Sequence, residues 1–206
     1  MKKSNVFLDF DDLIVKTKPA VISYVYDRYG VKITDSEYYN ENGSLHDVIK
    51  RYNPHLSVTF NELYLDYGKN FLASLEWNRN IPLMEDVQEI IPMLSRKYNL
   101  FIVTARQKIG LEVIDKLTVE FFGKCFKEIH CVWEWVDDVG FCESSKKSFI
   151  SKVQGEKVVF IDDSKKEIKK MENILPTYLF DPEGLCKPEN GINIVRSWKE
   201  IGTILL

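Results

Sequence analysis

The sequence predicts an α/β fold built on a parallel sheet flanked by helices, and three observations support it. Val6-Phe7-Leu8, Leu100-Phe101-Ile102-Val103 and Val158-Val159-Phe160-Ile161 are short, continuous apolar runs, as strands buried on both faces require. Polar residues follow each run. Helically patterned segments come next, giving the alternation of a doubly wound sheet.

Taken in order, the first strand is Val6 to Leu8. The stretch from Thr17 to Asn80 breaks the alternation, with helical patterns and turns but no buried strand. Pro19 suits the start of a helix that runs through Val21, Ile22, Val25 and Tyr26 to a stop near Gly30. Gly43 and Pro54 punctuate the later segments of the stretch, and Phe60, Leu63, Leu65, Tyr67 and Phe71 predict another amphipathic helix. This stretch reads as a helical insertion, residues 17–80, dividing a core of residues 1–16 and 81–206. Within the core, helices are expected at Asp86 to Tyr98, Ile109 to Phe122, Ser145 to Val153, Lys165 to Asn173 and Ser197 to Leu206. Val87, Ile90, Ile91 and Leu94 fall at helical spacing. Lys127 to Trp133 and Pro176 to Phe180 read as further strands, about five in all.

Composition narrows the function classes. The 206 residues suffice for one main core, and 45% hydrophobic with 29% charged residues is the balance of a globular protein. A net charge of −3 argues against nonspecific nucleic-acid binding. No apolar run reaches membrane-spanning length and no cleavage-site pattern follows the amino terminus, so a cytoplasmic protein is expected. Cys125, Cys131, Cys142 and Cys186 form no CxxC pair and His46, His55 and His130 no HxxxH pair, which points to reduced thiols and structural histidines rather than a zinc or redox site.

Ligands of open α/β sheets bind at the carboxyl ends of the strands. Asp9, Thr104 and Asp162 stand at three such ends. Asp9 and Asp11 are two apart and point the same way from an extended strand end. With Asp162 they form a hard oxygen set suited to magnesium and a substrate phosphate. Each signal has a plainer reading: Asp-Asp-Ser after a strand also serves as a helix N-cap, and a lysine early in a helix is usually a solvated charge.

The order of the signals carries more than any one of them. Strand-Asp9-x-Asp11, strand-Thr104, Lys146 at a helix start and strand-Asp162-Asp163 span about 155 of the 206 residues. In this the chain resembles the haloacid dehalogenase superfamily of phosphohydrolases. The resemblance implies a Rossmann-like sheet of order 5-4-1-2-3 with a helical cap of the first type inserted after the first strand. It implies Asp9 as nucleophile and Asp11 as acid and base. Thr104, Ala105 and Lys146 would bind phosphate, and Asp162 would bind Mg2+ with the Asp9 side chain and the Asp11 main-chain carbonyl. Asp163 would orient a metal-bound water or a neighbouring group. The family often has Thr or Val at the position of Leu13, and Lys147 is the alternative to Lys146, which is favoured because Phe149 and Ile150 then fall at +3 and +4.

The implied activity is hydrolysis of a small phosphomonoester. The Val-Thr-Ala-Arg segment and compact insertion are similar to the 5′-nucleotidase and deoxyribonucleotidase branch, making a nucleoside monophosphate one candidate substrate. A noncatalytic binding or regulatory module, and a phosphatase of nucleic-acid ends or phosphoproteins, are the alternatives. Lys16, Thr17, Tyr38, Tyr39, His46, Lys50 and Arg51 are within or beside the insertion, where surface helices carry such residues routinely, and are not assigned to the site.

Overall fold

The computed structural model describes residues 2–34, 45–136 and 140–206; Tyr38, Tyr39 and Gly43 fall outside them. One seven-stranded sheet organises the described residues. Its strands are β1 (Asn5–Leu8), β2 (Asn99–Gln107), β3 (Phe126–Val136), β4 (Gly140–Glu143), β5 (Lys157–Asp162), β6 (Thr177–Phe180) and β7 (Asn193–Val195), in the spatial order β4-β3-β2-β1-β5-β6-β7. All neighbours pair in parallel except β4, which folds back antiparallel on β3.

The expected order 5-4-1-2-3 is thereby corrected. Counting parallel strands alone, the order is 3-2-1-4-5-6. Read from the opposite edge, the first five keep the anticipated arrangement. The differences are β7, which adds a sixth parallel strand beyond β6, and β4, which extends the other margin. Both are short edge strands whose residues carry little apolar signal and depend on a partner already in place.

Strand alternation sorts the core onto two faces. Val6, Leu8, Leu100, Ile102, Val159 and Ile161 belong to one buried cluster, together with α5 (Val87–Lys97), α6 (Leu111–Phe122) and α9 (Trp198–Leu205). Phe7, Phe101, Val103 and Phe160 face the other way, against Ile150 of α7 (Lys146–Lys152) and Ile168 and Met171 of α8 (Lys165–Met171). Burying each such side chain contributes about 1.5–3 kcal/mol. The four cysteines are free thiols. No described helix is long and apolar enough to cross a membrane.

Between β1 and β2 lie α1 (Thr17–Tyr29), α2 (Leu45–Tyr52), α3 (Phe60–Tyr67), a π-helical turn at Gly68–Leu72 and α4 (Leu75–Arg79). The first helix starts two residues before Pro19, which therefore occupies its first turn, where a missing N–H goes unnoticed. It ends at Gly30, which at φ 65° donates its N–H to the Tyr26 carbonyl and closes the helix in the left-handed conformation. A Thr59–Glu62 capping box opens α3. His46 bonds the Val58 carbonyl at 3.0 Å and Lys50 donates to that of Leu56, so both serve the fold of this segment.

The segment is tied together at Asp66. Its carboxylate accepts from Arg28 at 2.7 and 3.0 Å, from the Tyr24 and Tyr29 hydroxyls at 2.7 Å each, and from Asn70 at 2.8 Å. Burial opposes ionisation, but these donors outweigh it and hold the carboxyl well below the usual range. Asp66→Asn is expected to cost about 1.5–3 kcal/mol in urea denaturation at neutral pH. A carboxyl whose folded value is depressed contributes stability above its unfolded pKa of about 4 and loses it as the pH falls. The gap between wild type and variant should accordingly narrow in acid; a gap that widens there would contradict this account.

The chain leaves and re-enters the sheet region through two adjacent crossings. Val15 bridges Leu83, Lys16 N donates to the Pro82 carbonyl at 2.8 Å, and Met84 N donates to that of Ile14 at 2.9 Å. Asp12, at φ 52°, makes the turn before the first crossing. Leu13 is fully buried and its carbonyl accepts from the Trp198 indole at 2.7 Å. An apolar side chain at this position thus serves the core.

Candidate active site

Parallel pairing of β1 with both β2 and β5 sets Leu8 beside Ile102 and Ile161. Their next residues therefore emerge together at the carboxyl edge of the sheet. Asp9 follows β1, Asp162 closes β5, and Thr104 lies in β2 just past its most apolar run. Lys146 opens α7 behind Ser145, whose hydroxyl accepts from the Ser148 amide and caps the helix.

Lys146 and two carboxylates form a buried ionic centre. Its Nζ is 2.8 Å from Asp9 Oδ1 and 2.7 Å from Asp162 Oδ2, while Asp162 Oδ1 accepts from the Ser164 amide at 2.8 Å. Asp162 thus uses one oxygen on Lys146 and the other on the amide of Ser164, the residue before α8; no side chain caps that helix itself. Lys147 is exposed on the next face of α7, so Lys146 is the lysine that reaches the acids. The contact with Asp9 is an ion pair at 2.8 Å, and Lys146 is the one donor near this buried Asp9 oxygen among the described residues.

Asp163 joins Asp9 and Asp162, with one oxygen from each lying within 4.8 Å of the others. Three carboxylates thus face a single ammonium. Burial pushes the Asp9 carboxyl up to about 8, reinforced by Asp162 and Asp11 and opposed by Lys146. Burial likewise raises Asp163, with help from Asp162 and Asp9. Such a group of hard oxygens, three carboxyls with one ammonium among them, fits a divalent cation of the magnesium type.

Asp11 has a different neighbourhood. Its carboxylate is gripped by Arg106, with Nε 2.9 Å from Oδ2 and Nη2 2.7 Å from Oδ1. Thr17, at the start of α1, also donates to it, and Thr104 Oγ1 lies 3.4 Å away. Burial works against its ionisation, yet Arg106 prevails and keeps the carboxyl below its ordinary range. Its side chain is therefore engaged by Arg106 and is not one of the three carboxylates that gather at Asp9, Asp162 and Asp163. Thr104 is fully buried and accepts from the Arg106 amide at 3.2 Å. Ala105 is exposed where the β2–β3 register breaks between Thr104 and Gln107.

Two residues near the acids lie outside the site that sequence alone assigns. Arg106 is the last residue of the Thr-Ala-Arg triplet, a weak signal when read by itself. Thr17 stands at the edge of the insertion, where the sequence offers it no partner. The signal for either lies in pairing across the fold, with Arg106 95 residues from Asp11.

The class that emerges is a three-layer α/β protein with a carboxylate and lysine centre at the carboxyl edge of its parallel sheet. Solved structures make it more specific. YfnB of Bacillus subtilis, a magnesium-bound structure provisionally described as a HAD-hydrolase, matches at a TM-score of 0.64 and 16% identity, covering 100% of this chain and 99% of that one. A Clostridium difficile protein provisionally described as a phosphatase matches at 0.70 and 19%, covering all of both chains. CbbY of Rhodobacter sphaeroides, solved with phosphate, matches at 0.68 and 16%, covering 97% of this chain and 96% of that one. The chain has the haloacid dehalogenase fold, as its four motifs imply. No protein-family model and no curated protein matches it.

Proposed function

We propose that the protein is a magnesium-dependent phosphomonoester hydrolase that works through an aspartyl-phosphate on Asp9. The observation that carries this reading is the buried meeting of Asp9 and Asp162 at Lys146, with Asp163 gathered beside the two acids, at the ends of adjoining strands.

An Asp9 carboxylate oxygen attacks phosphorus, and the bond from phosphorus to the leaving oxygen breaks. Asp11 hands that oxygen a proton, so the alcohol departs neutral. Water then attacks the phosphorus of the aspartyl-phosphate while Asp11 takes its proton, releasing phosphate and restoring the Asp9 carboxylate. Asp11 starts as a carboxylate under the pull of Arg106; the charge of an arriving phosphate beside it favours the uptake of the proton it donates. Lys146 offsets negative charge on Asp9 and on the transferring group, and the backbone around Thr104 and Ala105 supplies donors to phosphoryl oxygens.

Magnesium would be held by Asp9, Asp162 and the Asp11 main-chain carbonyl, with Asp163 orienting a neighbouring group, and when bound it supplies positive charge that shields phosphate from carboxylate. Residues 17–80 act as a cap on a core of residues 1–16 and 81–206, excluding water and selecting the leaving group. The adjacent crossings at Val15 and Leu83 are where such a cap would turn. The substrate is a small phosphorylated metabolite, with nucleoside monophosphates as one candidate class.

The test is hydrolysis of 4-nitrophenyl phosphate and a panel of nucleotides and sugar phosphates, with magnesium or with chelator. Turnover that requires magnesium is the expected result. Failure to release phosphate from any member would remove the enzymatic reading and leave a binding module.

A further inference from the structure

Arg106 is an expensive residue to bury. Only 2% of its side chain is exposed, and a guanidinium leaving water loses a large hydration energy that an apolar residue at the same strand end would not forfeit. The structure holds it on three sides. Its fork grips both Asp11 oxygens, its Nη1 donates to Asn78 Oδ1 at 2.6 Å, and its plane lies over the Phe10 ring with Cζ 4.8 Å from the centroid. Asn78 is fixed in turn, its Nδ2 donating to the carbonyls of Phe71 at 2.7 Å and Ser74 at 2.8 Å.

Asp11 is gripped from behind. Its side chain keeps 27% exposure while Arg106 is sealed, so the clamp sets the plane of the carboxylate and leaves it accessible. A two-pronged grip of this kind constrains orientation far more than a single ammonium would. Asn78 belongs to α4, just before the return crossing at Pro82 and Leu83. The state of that return crossing is therefore linked to Asp11 through one side chain.

We propose that Arg106 is a positioning residue for proton transfer by Asp11, seated by Asn78 at the return crossing of the helical segment. The inference rests on the reading of Asp11 as the acid and base of a phosphatase. A misoriented acid harms the reaction in proportion to how much the leaving oxygen needs a proton. Phenolate needs one; 2,4-dinitrophenolate scarcely does.

The experiment compares kcat/KM for phenyl phosphate and 2,4-dinitrophenyl phosphate, with magnesium, in wild type, Arg106→Lys, Arg106→Met, Asn78→Ala, Asp11→Asn and Asp9→Asn. This parameter reports steps up to the first phosphoryl transfer, so slow hydrolysis of the phosphoenzyme does not enter. The ratio of the two substrates is measured on one sample, where the folded fraction cancels, and Arg106→Lys retains the buried charge if the Met variant folds poorly. Both Arg106 variants should lower the phenyl to dinitrophenyl ratio by at least about tenfold, within the range general acids contribute. Asn78→Ala should lower it in the same direction by less. An unchanged ratio in the Arg106 variants, with Asp11→Asn lowering it, would overturn the inference while the phosphatase reading stands. Absent wild-type turnover, activity surviving in Asp9→Asn, or an unchanged ratio in Asp11→Asn would overturn the reading beneath it.

Discussion

Asp9→Asn should lower magnesium-dependent turnover of 4-nitrophenyl phosphate by about four orders of magnitude or more, the scale on which loss of a covalent nucleophile is felt. The same substitution should make the protein more stable in chelator. Burial and the neighbouring acids raise the Asp9 carboxyl to about 8, so holding it ionised costs the folded chain free energy. For a carboxyl raised on folding, stability is lost as the pH climbs from the unfolded value of about 4 towards the folded one, and an amide is spared that loss. The advantage of Asp9→Asn over wild type, measured by urea denaturation in chelator, should grow between those limits. Added magnesium should stabilise the wild type more than the variant, because one carboxylate of the cation set is gone. Undiminished turnover would remove Asp9 as nucleophile, and a variant less stable than wild type in chelator would remove the electrostatic account of its environment.

The part of this site that is legible in the sequence is the part written in strand ends. Val6-Phe7-Leu8, Leu100 to Val103 and Val158 to Ile161 announce buried parallel strands through continuous apolarity, and Asp9 and Asp162 come next in the chain. Parallel pairing then brings those ends together without further information. Lys146 is separable from Lys147 by the helical spacing of Phe149 and Ile150, of which Ile150 is fully buried. Where the information is tertiary, local pattern carries none of it. Asn193–Val195 is a strand only because Tyr178 to Phe180 offers it an edge, and Gly140–Glu143 only because β3 does. Arg106 shows the same limit at the site itself. Nothing about an arginine after Thr-Ala reveals that Asp11, Asn78 and Phe10 will enclose it.

Lys146→Met is expected to destabilise the fold by about 3–5 kcal/mol in chelator, the cost of leaving buried charge uncompensated. Lys146 is 3% exposed and contacts both Asp9 and Asp162, and these carboxylates with Asp163 remain in place when it is removed. The methionine fills most of the volume, so the loss is one of charge rather than of packing. That makes the loss correctable by another cation. Magnesium bound by the remaining acids should restore part of the stability, by about 2.7 kcal/mol when present at a hundredfold over its dissociation constant. Lys147→Met, exposed one residue further on, should alter stability by no more than about 0.5 kcal/mol with or without magnesium. Urea denaturation of the two variants in chelator and in magnesium separates the possibilities. Equal, small effects at both positions would mean that the carboxylates are balanced by something other than Lys146. A large loss at Lys146 that magnesium leaves untouched would mean that the acids are held too far from one another, or too rigidly, to share a cation.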